Sequence, residues 1–244
     1  MPAHARGSPP VREGAVQKFI AVAGNIGAGK SSLVEFLERR LGMRAIYEPY
    51  LGNPYLDDFY ADMKGYAFQS QVYFLAHKFR LHLGLPNEGG NIVLDRTIYE
   101  DAEIFAKNLH QTGYMTARDF SLYSELYDSM KLALRPPDLL IYLRCPVRAL
   151  RRRIKQRGRL SEQSIPTEYL KRLNDLYESW IERFDLCPVL IWDSEKKDYL
   201  TDLVDWIEFR RRLSELMGSP SIQGAPGEAD LAPAAARALI EGGA

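Results

Sequence analysis

Eight consecutive residues constrain this chain more than any other stretch: Gly24-Asn25-Ile26-Gly27-Ala28-Gly29-Lys30-Ser31. They match G-x-x-x-x-G-K-[ST] and stand between a nearly continuous apolar run, FIAVA at 19–23, and the amphipathic segment SSLVEFLERRL. A short apolar run of this kind suits a strand buried on both faces of a parallel sheet. After it, Leu33, Phe36, Leu37 and Leu41 recur at helical spacing, and Gly42 supplies the stop. Strand, glycine-rich turn and helix N-terminus, in that order, make a cradle for phosphate. The glycines let backbone N–H groups wrap oxygen atoms, and the helix end adds partial positive charge. Lys30 supplies a cation for the transferring phosphate, and the hydroxyl of Ser31, next to Ser32, is a ligand for Mg²⁺. The stretch therefore predicts a nucleoside triphosphate site for ATP with Mg²⁺ and leaves the acceptor of the phosphate unnamed.

The rest of the chain alternates in the same manner. Apolar runs at 43–47, 91–94, 138–143 and 189–192 predict four more strands. Helical patterns fall at 66–83, 99–109 and 116–134, after Pro146, from Pro166 to 184, and at 199–216. Trp180 and Trp206 sit at helical spacing among Leu and Ile and are assigned to packing or to a dimer face. Strands alternating with helices imply an α/β fold with a parallel, doubly wound sheet. A length of 244 residues fits one such domain, expected at 17–217, with a flexible N-terminal tail at 1–16. A flexible Gly/Ala/Pro-rich tail is expected at 218–244, with a short Ala-rich helix near 232–241. Thirty-two Lys and Arg balance 32 Asp and Glu, which argues against a general nucleic-acid coat. No apolar run approaches the ~18–20 residues of a membrane span. The opening residues lack the apolar core of a secretory signal. Two cysteines, Cys145 and Cys187, cannot build a disulfide framework, and no Cys/His spacing suggests zinc. These features give a cytoplasmic protein as the expectation.

Further motifs narrow the acceptor. Glu48-Pro49 follows the second strand, FQSQ stands at 68–71, LDRTIYED at 94–101 and RGRLSEQSIPTEYL at 157–170. Together with GNIGAGKSSL they make residues 18–210 resemble the deoxynucleoside kinase family, and the stretch from Glu48 to Arg80 is most similar to its bacterial deoxyadenosine/deoxyguanosine kinases. The resemblance implies a P-loop kinase fold: a five-stranded parallel sheet flanked by helices, with an Arg-rich lid, in a homodimer. It implies transfer of the ATP γ-phosphate to the 5′-hydroxyl of a deoxynucleoside in nucleotide salvage, with purines favoured.

Roles then carry over residue by residue. Glu48, at the carboxyl end of a strand where α/β sheets bind ligands, is expected to orient the 5′-hydroxyl and accept its proton. Asp95 is placed like a Walker-B acid that holds Mg²⁺ with Ser31, and Arg96 is the cation near the acceptor oxygen. Gln69 carries a donor and an acceptor side by side for a base edge, with Asp101 in the same network. The family often adds an Arg beyond that Gln, and this sequence is read as having Ala76 there. Tyr60 and Glu162 correspond to residues that hold the sugar 3′-hydroxyl, while Arg153, Arg157 and Arg159 correspond to lid arginines that neutralise the triphosphate. Arg148, Arg151 and Arg152 are read as a solvated basic face. Two alternatives stand beside this reading. One is a thymidylate-type monophosphate kinase, which typically has an Arg where Tyr47 precedes Glu48; the other is a nucleotide-binding subunit without turnover, which usually loses one of the roles that Lys30, Ser31, Glu48, Asp95 and Arg96 retain. Adenine, guanine and cytosine are not separated by these residues.

Overall fold

The computed structural model describes residues 18–47, 52–85, 89–163 and 165–218. Glu48 and Pro49, the expected tails apart from Gly218, and the short helix near 232–241 lie outside the described residues. Strand β1 is Phe19–Ala23, every residue of it buried. The phosphate loop leads from it into helix α1, Lys30–Leu41. Then follow β2 (Arg44–Ile46), α2 (Leu56–Ala61), α3 (Met63–Gly84) and β3 (Ile92–Asp95). A single helical stretch comes next, in three parts: α4 (Ile98–Glu100), a π-helical segment (Asp101–Ala106) and α5 (Lys107–Gln111). The chain continues through α6 (Ala117–Lys131), β4 (Leu139–Arg144), α7 (Val147–Arg157), α8 (Leu160–Gln163), α9 (Thr167–Ile181), β5 (Val189–Asp193) and α10 (Leu203–Met217).

The five strands form one sheet in the order β2-β3-β1-β4-β5, with every pair parallel. β1 is central because its neighbours on either side are reached by crossovers in opposite directions. The crevice at its carboxyl end is therefore the topological switch point where ligands bind. Pairing of Val22 with Asp95 sets the end of β3 level with the start of the phosphate loop.

Strand alternation divides the core in two. Phe19, Ala21 and Ala23 face a layer built from α3, the α4–α5 stretch, α6 and α9, including Leu75, Ile104, Tyr123 and Tyr177. Ile20 and Val22 face the other layer, where α1, α7 and α10 bring Leu33, Leu150 and Phe209. Trp180 and Trp206 are both buried, one in each layer. Cys145 is buried and Cys187 is partly buried, and both are free thiols.

The differences from the sequence reading lie mostly at boundaries. The helix expected at 66–83 starts at Met63, because Asp62 accepts a hydrogen bond from Gly65 N at 3.0 Å and caps it. The helix expected at 199–216 starts at Leu203, where Asp202 accepts from Val204 N and Asp205 N. Pro146 and Pro166 are themselves the N-caps of α7 and α9, one residue ahead of the first helical turn. Helices α2 and α8 and the π-helical winding have no counterpart in the apolar pattern.

Candidate active site

The phosphate loop is shaped by contacts that only glycine permits. Gly27 has φ +82°, and a Cβ there would lie 2.9 Å from Ile154 Cγ1 and 3.1 Å from the Leu150 carbonyl. The loop thus rides directly on α7. Asn25 is buried and pins the loop from the other side. Its Oδ1 accepts from Ile26 N at 2.7 Å, and its Nδ2 donates to Leu170 O at 2.9 Å and Asn174 Oδ1 at 2.5 Å. The Lys30 ammonium donates to the carbonyls of Gly24 at 2.9 Å and Asn25 at 3.1 Å, which holds it over the loop.

At the floor of the crevice the Ser31 hydroxyl donates to Asp95 Oδ2 at 2.6 Å. Asp95 Oδ1 is buried and has no hydrogen-bond partner. A hydroxyl and a carboxylate in contact, with one carboxylate oxygen left over, are a hard oxygen donor set that fits Mg²⁺. Asp95 is followed by Arg96, the one non-glycine residue with positive φ (+68°) among the described residues. Its backbone N donates to Val22 O at 3.1 Å, and its guanidinium lies 4.5 Å from the Phe105 ring centroid, a cation–π distance.

Behind this turn sits a carboxylate to which the sequence reading gives no role. Glu100 is completely buried. Its Oε1 accepts from the Tyr177 hydroxyl at 2.7 Å and Gly24 N at 3.4 Å, and its Oε2 accepts from Thr97 N at 3.1 Å. Burial pushes its pKa up, while the charges of Arg96 and Lys30 pull the other way.

One open cleft brings together Ile26, Gly27, Lys30, Ser31, Tyr60, Asp95, Arg96, Asp101, Arg157, Arg159 and Glu162, all expected at the site. Apolar and aromatic walls come from Leu56, Phe59, Phe74, Phe105, Ile165 and Tyr169. Glu162 ties the two arginines of the Arg157-Gly158-Arg159 segment: it pairs with Arg157 and, at 3.4 Å, with Arg159. A second recess, on the far side of the phosphate loop, contains Ala28, Gly29, Ser32, Arg152, Arg153 and Arg157. Arg153 is anchored there: Nη1 donates to Ala28 O at 3.0 Å and Ser194 Oγ at 3.2 Å, and Nη2 donates to Ser194 O.

Two placements depart from the sequence reading. Gln69 is exposed and does not line the cleft, whereas Gln71 is buried and does. Two residues along an α-helix turn by about 200°, so the two amides point to opposite faces. The cation beyond the Gln is also displaced: Lys78, not position 76, is buried in α3, and its Nζ donates to Asp101 Oδ1 at 2.6 Å. The two shifts are linked, since positions 71, 74 and 78 of a helix share one face, but spacing alone does not say which face meets the cleft. Arg152, read as part of a solvated face, is exposed and also borders the second recess. Arg148 pairs instead with Glu195 at 2.9 Å, and Arg151 donates to Ile165 O at 2.9 Å.

A parallel sheet with a phosphate-binding loop at its switch point, a Ser–Asp pair beneath it and an arginine beside it defines an ATP-dependent phosphotransferase of the P-loop kinase fold. The model of the family described as deoxynucleoside kinase matches residues 20–215. The chain belongs to the deoxynucleoside kinase family. It is 40% identical over 186 residues to the deoxyadenosine/deoxycytidine kinase of Bacillus subtilis (strain 168), covering 75% of this chain and 86% of that one. It is 39% identical over 195 residues to a deoxyguanosine kinase of Lactobacillus acidophilus, covering 76% and 85%. Among solved structures, deoxyadenosine kinase from M. mycoides with bound dCTP superposes with a TM-score of 0.69 at 32% identity, over 81% of this chain and 99% of that one.

Proposed function

We propose that this kinase moves the ATP γ-phosphate to the 5′-hydroxyl of a purine deoxynucleoside, deoxyadenosine or deoxyguanosine, as a salvage reaction in the cytoplasm. One observation carries the reading: a single cleft runs from the phosphate loop, past Asp95 and Arg96, to the buried amide of Gln71 and to Asp101, which is paired with Lys78. Phosphate chemistry lies at one end and base-edge donors and acceptors at the other. The relatives' names, which span deoxyadenosine, deoxycytidine and deoxyguanosine kinases, support a deoxynucleoside as acceptor.

In this mechanism Lys30 and the arginines at 153, 157 and 159 draw off negative charge from the triphosphate. Ser31 and Asp95 would hold Mg²⁺, which when bound would supply further neutralisation of the phosphates. Arg96 faces the acceptor oxygen. Glu48 orients the 5′-hydroxyl and receives its proton. Phosphoryl transfer has a loose transition state, so alignment contributes more than basicity. Gln71 and the Lys78–Asp101 pair take over the base-reading role expected of Gln69, and the amide Oε1 of Gln71, buried without a hydrogen-bond partner, is matched to a donor on the base. Tyr60 and Glu162 hold the 3′-hydroxyl, which selects sugars because a missing partner leaves buried polar groups unpaired. Exposed Leu122 and Leu132 on or beside α6, with Leu83 at the end of α3, give the homodimer a surface to bury.

A coupled ATP-consumption assay tests the proposal, with the four deoxynucleosides, adenosine, guanosine and thymidine monophosphate run side by side. Turnover on deoxyadenosine or deoxyguanosine supports it. Turnover confined to the monophosphate, or to a pyrimidine deoxynucleoside, overturns it.

A further inference from the structure

Glu100 is a fully buried carboxylate behind the crevice to which the mechanism above assigns no part. It lies between Tyr99, which packs into the core, and Asp101, which lines the cleft. A carboxylate taken entirely out of water is unfavourable unless its oxygens are satisfied. Here the donors come from three separate elements. Gly24 N is the start of the phosphate loop, Thr97 N is the turn after β3, and the Tyr177 hydroxyl belongs to α9. The three are brought together across 76 and 77 positions of sequence, so Glu100 acts as a junction and not as a local cap alone.

The turn it holds is a strained one. Arg96 adopts the left-handed conformation, which a non-glycine residue keeps only where its surroundings over-determine it. Both peptide N–H groups bracketing Arg96 are fixed: its own by Val22 O at 3.1 Å, the next by Glu100 Oε2 at 3.1 Å. The carboxylate that fixes the second also reaches Gly24 of the phosphate loop through its other oxygen. We propose that Glu100, braced by Tyr177, is a positioning residue that sets the phosphate loop and Arg96 in register, so that the cradle and the acceptor-side cation are aligned before either substrate binds. Tyr177 is well suited to bracing it. The ring is fully buried, stacked on Tyr142 at 5.7 Å and edge-on to Trp180 at 6.2 Å, so its hydroxyl has no freedom to leave.

The test compares Glu100→Gln, Tyr177→Phe and the double variant by steady-state kinetics on whichever deoxynucleoside the wild-type enzyme turns over. The inference rests on the kinase reading only for that choice of substrate. If no nucleoside is turned over by wild-type protein, the function proposal has failed; if wild type turns over and the variants match it, only the junction has failed. Gln keeps the shape but must turn an NH₂ toward one of three donors, and it loses the charge beside Arg96. Misalignment of about 1 Å costs on the order of 10²-fold in rate. The expected result is a kcat lowered about 10- to 100-fold in Glu100→Gln and about 3- to 10-fold in Tyr177→Phe. KM values should stay within about threefold, and the double variant should be no slower than Glu100→Gln alone, since both act through one junction. A role in stability alone would lower the unfolding temperature and leave kcat of the folded enzyme intact. A kcat within twofold of wild type in folded variants, a loss confined to KM, or losses that multiply in the double variant would each overturn the proposal. Should Glu100→Gln fail to fold, Tyr177→Phe decides by the same kcat criterion.

Discussion

Lys78→Met separates the stability of the base end of the cleft from its chemistry. Lys78 Nζ lies 2.6 Å from Asp101 Oδ1, and the two side chains are only 3% and 5% exposed. Met keeps the apolar stem and removes the charge. Breaking a buried ion pair by removing one member costs about 3–5 kcal/mol, because the remaining charge is left in a poorly solvating interior. For a chain of this size each kcal/mol corresponds to roughly 2–4 °C, so the melting temperature should fall by about 6–20 °C. Adding Asp101→Leu removes the other member of the pair. The double variant Lys78→Met/Asp101→Leu should regain wild-type stability or exceed it, since buried pairs replaced by well-packed apolar groups are often neutral to stabilising. It should not regain activity: kcat/KM for the deoxynucleoside should stay down by about 10²-fold, with ATP affinity unchanged. Urea unfolding followed by tryptophan emission is a suitable assay, as Trp180, Trp192 and Trp206 are all buried. A loss below about 1 kcal/mol in Lys78→Met, or no recovery in the double variant, would show that the pair is not the desolvated junction its geometry describes.

Three further outcomes are expected. Burial, with Lys78 nearby as the lesser cause, holds the His82 pKa down from 6.5 to about 3. Between those values the unfolded chain carries a proton that the folded chain excludes, so stability rises with pH. It should fall by about 2 kcal/mol from pH 6.5 to 5, and a His82→Phe variant should flatten the urea midpoint over that range; an equal slope in both proteins would refute the assignment. Gln71→Ala should raise KM for the deoxynucleoside about 10- to 100-fold while Gln69→Ala stays within twofold, and the reverse order in a kinetic comparison would return the base-reading role to Gln69. Asp95→Asn should lower kcat by about 10²-fold or more and raise the MgCl₂ concentration needed for half-maximal rate; an unchanged magnesium titration would remove Asp95 from the cation site.

What the sequence makes legible follows from how locally each feature is determined. The five strands are readable because each is a short apolar run, and the phosphate loop because its glycines, lysine and serine are contiguous. Asp95 and Arg96 are readable because they close such a run. The cleft face of α3 is not readable because it is largely polar: Ser70 and Gln71 enter the cleft, while the apolar stripe of Phe68, Val72, Leu75 and Phe79 marks only the side that packs against the core. Among the arginines of α7, composition announces a basic helix but not which member turns inward, and only resemblance separates Arg153 from Arg148. Glu100 is hidden for a different reason. A carboxylate in a polar stretch looks solvated until Gly24 and Tyr177, which are remote in sequence, close over it.

The π-helical winding at Asp101–Ala106 gives this part of the chain an unusual relation to its own length. A π turn takes up one residue more than an α turn over a comparable advance. The segment therefore carries slack, and it carries it where Asp101 and Phe105 both enter the cleft. Loss of a single codon here would let the backbone relax to ordinary α-helix with every later position still on its face, whereas relaxation of the intact segment would swing every later position by about 100°. Asn108 and Leu109, now enclosed, would be carried off their buried face, and Phe105 would be withdrawn from beside Arg96. A regular helix that loses one residue turns everything beyond the loss off its face; this stretch holds a spare residue and can give it up.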